Sequence, residues 1–148
     1  MSDTVLGHKA KTPWHLWGVG VLSLLWNAIG AFDYFMTQTR NDAYMGRFTA
    51  EQLDFFYSFP VWMTAAWAIA VWGSVLGSIL LLCKMKIALP VFVISWIGMI
   101  ANSVYMYVIE DATAVTGFGA IIFSGVIFVI GFLLILYARA MSRRGVLG

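Results

Sequence analysis

"GFGAIIFSGVIFVIGFLLILYA", residues 117–138, runs for 22 residues without a charged side chain, and Ser124 is its main polar group. At ~1.5 Å per helical residue the run reaches ~33 Å, enough to cross a hydrocarbon core of ~30 Å. A barrel strand would instead alternate in polarity over about 10 residues, and nothing here alternates. Working outward, three more runs of the same kind precede it: Trp14–Met36, Phe59–Cys83 and Ile87–Val108. They account for a chain of 148 residues that is 61% hydrophobic and 11% charged, with mean hydropathy +0.86. Soluble domains carry about 25% charged residues, so a water-soluble core is excluded. The runs predict an all-α integral membrane protein of one domain, residues 1–148. Its fold would be an antiparallel bundle of four transmembrane helices at about 14–36, 59–83, 87–108 and 117–138.

Charge distribution orients the bundle. Lys9, Lys11, Lys84, Lys86, Arg139, Arg143 and Arg144 fall on one side, and Arg40 and Arg47 on the other. The positive-inside rule then puts both termini in the cytoplasm, as for a multi-pass protein of a bacterial inner membrane. Asp33, Glu51, Asp54, Glu110 and Asp111 would make an outer acidic face, with Asp42 beside them. The basic residues are too scattered for a nucleic-acid patch. Ala28-Ile29-Gly30 offers small residues for signal cleavage, but the first apolar run exceeds the 7–15 residues of a signal peptide, so a retained helix is expected.

Cys83 is the only cysteine, which excludes an internal disulfide and any CxxC redox or zinc arrangement. The "KMK" turn, residues 84–86, makes helices two and three a tight hairpin, and Pro90 sits in the first turn of helix three, where a missing N–H costs nothing. Asp111, Thr113 and Thr116 are each suited to cap helix four. Between spans one and two, Thr49-x-x-Gln52 fits a capping box that opens a short amphipathic helix, about 49–58. Leu53, Phe56 and Tyr57 share one of its faces, and Glu51, Asp54 and Ser58 the other. It would lie on the outer membrane surface as a lid, a gate or a docking face, with Arg47 and Glu51 spaced to pair.

Within the spans the polar residues fall into stripes at helical spacing. Gly20, Ser23, Asn27, Ala31 and Tyr34 share one face of helix one; Ser95, Gly98, Asn102, Tyr105 and Met106 share one of helix three. Facing each other, these stripes would either glue the bundle through interhelical hydrogen bonds or line a small polar cavity of Asn27, Tyr34, Asn102 and Tyr105 with Trp26. Asp33 lies near the water, where a carboxylate is tolerated. Gly73-x-x-x-Gly77, with Ser74, is a small-residue seam for close helix packing inside the bundle or against another copy. Trp62, Trp67 and Trp72 recur every five residues and so wind around helix two. Trp14 and Trp17 read as interfacial anchors with Trp62, and His15 as an interfacial neighbour. His8 and His15 offer no haem pair; neither metal nor cofactor is expected. No nucleophile triad, phosphate loop or mid-membrane carboxylate appears, which argues against an enzyme and against proton-coupled export.

The run "LLWNAIGAFDYFMTQTRNDAYM…FTAEQLDFFYSFPVWMTAAWAIAVWGSVLGSILLL" resembles a family of small, uncharacterised four-helix inner-membrane proteins of Gram-negative bacteria, sometimes labelled "sugar transporter". The likeness covers about residues 14–108 and rests on WN, GAFDY, MTQTR, FTAEQLDFFY and FPVW. It implies the four-helix fold and the membrane, and no activity. Small sugar transporters with three helices per chain set Trp and Asn around the sugar; Trp26, Asn27 and Asn102 are of those types, while their Pro-Gln motif is missing here. Short loops, a featureless fourth helix and the glycine seam together predict a non-enzymatic accessory or structural subunit, packed in the lipid bilayer against other membrane subunits or against itself. The alternative is an oligomeric carrier or channel for a small, sugar-like polar solute using an Asn27/Asn102 cavity.

Overall fold

The computed structural model describes residues 10–148, so His8 and Lys9 lie outside it. The described chain is helical, without a strand. α1 (Trp14–Gln38), α4 (Val61–Leu82), α5 (Ala88–Val104) and α7 (Phe118–Arg143) are its long helices. α5 continues as a π-helical turn, Tyr105–Ile109. Counting that turn, all four are long and apolar enough to cross a bilayer, as in a multi-pass membrane protein. Three short helices sit at one end: α2 (Asp42–Met45), α3 (Ala50–Tyr57) and α6 (Thr113–Thr116).

Local chemistry sets the boundaries. Pro13 and Pro60 stand extended just before α1 and α4, where a missing N–H leaves no helical bond unmade. The α4–α5 turn closes on Lys84 at φ 57. Thr49 and Gln52 form both halves of the capping box that opens α3. The caps expected of Asp111, Thr113 or Thr116 are not made. Thr116 Oγ instead donates to Ala112 O at 2.8 Å, closing α6. Gly117, at φ 82 and ψ 171, then restarts the chain as α7, a conformation open essentially to glycine alone.

α4 is the central helix, packed along α5 on one side and α1 on the other; α7 packs on α5 and hardly meets α1. Small residues bring α4 and α5 together. A Cβ on Gly77 would stand 2.6 Å from the Phe92 ring, one on Gly98 2.8 Å from Ala66 O, and one on Gly73 3.0 Å from Ser95 Cβ. Ser95 Oγ donates to Ala70 O at 2.5 Å across the same seam. Gly73 and Gly77 therefore serve this internal contact.

The end holding the α4–α5 turn is solid. Leu16, Leu81, Ala88, Phe92, Leu134, Ala138 and Met141 form its buried core with Val146 and Leu147. The last residues fold back to complete it: Gly148 N donates to Lys84 O at 2.8 Å, and Lys86 N to Gly148 O at 2.9 Å. His15 Nδ1 and the Tyr137 hydroxyl share a hydrogen bond of 2.6 Å, clasping α1 to α7 at this base. At the opposite end the helices enclose space.

Candidate functional site: a chamber beneath the α2–α3 lid

A cavity of about 520 Å³ opens among α1, α4, α5 and α7, within the ~300–1,000 Å³ typical of small-molecule sites. Each helix contributes side chains at heptad-like spacing. From α1 come Trp26, Gly30, Asp33 and Thr37; from α4, Met63, Trp67, Ala70 and Ser74; from α5, Met99, Asn102, Ser103 and Met106; from α7, Phe123, Ser124 and Ile127. Spacings of three and four keep one face of a helix in register, so the wall continues from turn to turn. Below it a void of about 20 Å³, also touching Trp26, Asn27 and Ser74, has room for one water.

The lid is held by its own bonds. Asn41 Oδ1 accepts from Tyr44 N at 3.0 Å to start α2, and Gln52 Nε2 donates to Val115 O at 3.2 Å, tying α3 to α6. Phe48, Phe56 and Phe59 line the chamber roof; the Phe48 and Phe56 rings meet edge to face at 5.2 Å. Of the apolar face of α3, Phe56 reaches the chamber, while Leu53 and Tyr57 lie outside its lining. Arg47 does not pair with Glu51. Its guanidinium reaches Asp33 at 3.9 Å and stacks over Tyr44, 4.1 Å from the ring centre.

Tyr44 donates its hydroxyl to Asp33 Oδ1 at 2.5 Å. Partial burial, then the bond and negative charge of Asp33, push its phenol up to about 12 against the opposing influence of Arg47. Asp33, expected on an outer acidic face, lies on the chamber stripe of α1, at its lid-side rim. Glu51, Asp54, Glu110 and Asp111 stay exposed at the lid end and outside the lining.

The five residues predicted to share a polar cavity divide. Trp26, Asn27 and Asn102 line the chamber; Tyr34 and Tyr105 do not. Tyr34 lies on the α4 side of α1 and packs edge-on against Trp67, ring centres 4.9 Å apart. Tyr105 lies on the α4 side of α5, edge-on to Phe59 at 5.6 Å and Trp62 at 5.5 Å. Met106, on the other flank of Asn102, takes the place at the wall.

Nor do the two asparagines bond each other. Asn27 Nδ2 donates to Ser74 O at 3.1 Å and to Ser78 Oγ at 3.0 Å. The Ser78 and Ser23 hydroxyls bond at 3.0 Å, and Ser23 Oγ donates to Gly20 O at 3.1 Å. This ladder joins α1 to α4. Asn102 is half-buried and lines the chamber, and its amide bonds no protein group among the described residues. No fully buried side-chain nitrogen or oxygen there lacks a partner, so the Asn102 amide looks into open space.

Sequence reasoning missed Thr37, Trp67, Ser103, Phe123 and Ser124 as lining residues. The heptad-like run Trp26, Gly30, Asp33, Thr37 was the available signal. Ser124, the one hydroxyl in the middle turns of α7, bonds the Tyr107 hydroxyl at 2.7 Å and fixes α7 to α5. Trp96 Nε1 does the same through Phe128 O at 3.2 Å.

Fold and chamber together define a class: a multi-pass helical membrane protein with an internal chamber lined by apolar and aromatic side chains and a few uncharged polar groups, its charged groups confined to the rim. Among the described residues no three His, Cys, Asp or Glu side chains gather to hold a metal. In comparisons with known proteins, no family model matches the chain, and neither a curated protein nor a solved structure does.

Proposed function

We propose that the chain is a non-enzymatic protein of a bacterial inner membrane that binds a small solute bearing an uncharged hydrogen-bonding group, as a carrier or as the solute-binding subunit of a larger assembly. Its four helices would run antiparallel, with the base and both termini in the cytoplasm and the lid outside. The basic residues around the base, Lys84, Lys86, Arg139, Arg143 and Arg144, support that orientation.

One observation carries the proposal. Asn102 places an amide without a protein partner on the wall of a 520 Å³ chamber in a membrane-spanning helix. A polar group withdrawn from water without a partner is costly, ~1–3 kcal/mol on protein scales, so water or a solute must supply the bonds. Trp26, Trp67 and Phe123 around it offer flat apolar faces of the sort that sugars and other ring-bearing solutes stack on.

The test is solute binding by purified protein in lipid nanodiscs, across a panel of monosaccharides, disaccharides and polyols. Asn102→Leu should weaken binding by about tenfold or more, the ~1.4 kcal/mol of a hydrogen bond made only to the ligand. If no uncharged solute binds, or if Asn102→Leu leaves binding unchanged, the proposal fails.

An accessory-subunit role draws on a different observation, the apolar outer face of α7. Phe118, Ile122, Val126, Val129, Leu133 and Leu136 are exposed there, and α1 leaves that helix largely uncovered. Native mass spectrometry after gentle extraction separates the two roles: co-release with a second polypeptide supports the subunit, and a homogeneous species retaining a small molecule supports the carrier.

A further inference from the structure

The wall of the chamber is least closed between α1 and α7, which hardly meet along their length. α1 and α7 are clasped at the base by His15 and Tyr137. Partway along, the Trp26 and Phe123 rings come within 6.0 Å. No other side-chain bond joins the two helices. Ile29 lines the chamber and is nevertheless 63% exposed; Phe123 lines it and is 56% exposed. A side chain that belongs to an interior wall and is also mostly exposed on a membrane-facing helix marks a break in that wall. The break lies between α1 and α7, where acyl chains would surround the protein.

The chemistry along this route changes from outside to inside. Its rim is Trp26, Ile29, Phe123 and Ile127, all apolar in their bulk. A sugar or polyol crossing such a rim from hydrocarbon would be stripped of its hydration with nothing in exchange. A molecule with an apolar chain would leave that chain where it already lay. Deeper in, the free Asn102 amide and the unbonded Oδ1 of Asn27 offer one donor group and two acceptors, uncharged. The chamber's ionic groups, Asp33 and Arg47, sit at the lid-side rim and face each other at 3.9 Å, with Tyr44 also bonded to Asp33. They present no net charge that would select an anionic or cationic head.

We propose that the ligand is a neutral amphiphile drawn from the bilayer. Its hydroxyl- or amide-bearing head bonds Asn102 and Asn27 inside the chamber, and its single alkyl chain leaves through the gap between α1 and α7, past the Trp26–Phe123 pair. This deepens the chamber proposal and rests on it, because it names the ligand's class and its way in.

The test uses a monoacylglycerol carrying a diazirine in its chain, added to the protein in phosphatidylcholine vesicles, with crosslinks mapped by peptide mass spectrometry. Phosphatidylcholine is in large excess, so a site for ordinary phospholipid would already be filled. Crosslinks should concentrate at residues 26–30 and 123–127 and be displaced by unlabelled monoacylglycerol but not by glycerol. Ile29→Trp, at an exposed position where folding is undisturbed, should block the gap and lower the labelling about tenfold. Asn102→Leu should weaken competition by a similar factor. Labelling spread evenly over outward-facing residues such as Leu25 and Val129, without saturation, would overturn the amphiphile and its route. If soluble polyols then still bind in an Asn102-dependent way, the chamber stands and only the lateral route falls. If Asn102→Leu alters neither, both fall.

Discussion

Two asparagines of the same chemistry carry opposite duties in this molecule. Asn27 spends its amide N–H groups on α4, through Ser74 O and Ser78 Oγ, while Asn102 keeps its whole amide for the chamber. Interhelical bonds of this kind average ~0.6 kcal/mol and reach ~1.7, so Asn27→Leu should lower the thermal unfolding midpoint in detergent. Asn102→Leu removes an amide without a protein partner and should leave the midpoint unchanged or raise it. The reverse ranking would mean that Asn102 is the structural residue. Tyr44 makes a prediction in pH. Its phenol is pushed up to about 12, above the ~10 of an unfolded chain. The folded state therefore holds that proton more tightly, and the contribution is complete below about pH 10 and lost as pH rises through about 12. Tyr44→Phe should flatten the alkaline fall in midpoint across that window. That Asn27 and Asn102 are intramembrane polar residues was legible in the sequence. Which neighbour each would face was not, because a stripe at ~100° per residue says nothing about the order of helices around a bundle. Here α4 stands beside α1, and it takes up Asn27 before α5 can.

At the scale of elements, the α4–α5 seam tolerates least. A side chain at Gly77 must displace the Phe92 ring, and overpacking of this sort costs ~1–3 kcal/mol. Gly77→Val should therefore lower the unfolding midpoint more than Gly125→Val, whose Cβ would meet nothing within 4 Å. The lid answers to its cap. Thr49→Ala removes one side of the box that opens α3, a loss of ~1 kcal/mol, and should speed proteolysis within residues 38–60 while the long helices stay protected. The capping box was readable because it is local, two residues three apart that satisfy each other. The glycine seam was readable as a seam, but its partner was not, since packing inside the molecule and packing against another copy ask for the same small residues. The tyrosine pair was misplaced for a geometric reason. Tyr34 stands about two turns beyond Asn27 on the face that looks at α4, Tyr105 stands three residues beyond Asn102, and each ring finds the aromatic side chains of the α4 segment instead of the chamber.

Across the whole molecule, a packed base supports a hollow lid end. Val146 and Leu147 complete that base, and burying such a side chain fully contributes ~1.5–3 kcal/mol. Deleting residues 145–148 should destabilise the base and raise amide exchange at the α4–α5 turn, whose Lys84 and Lys86 bond Gly148. Nothing in "GVLG" announces this role, for two apolar residues are too few to show a period. The four long apolar helices, by contrast, were legible, because the cost of exposed backbone in hydrocarbon leaves a helix as the only form for a long apolar run, although α7 runs on to Arg143, five residues past its apolar stretch. The hollow half has a mechanical consequence. A molecule too large for the 520 Å³ chamber would push apart α1 and α7, which are hydrogen-bonded to each other at the base, so the protein's footprint would grow in one leaflet and not in the other. A bound molecule would thus turn a cylinder toward a wedge, and the curvature of the surrounding membrane would favour or oppose its binding.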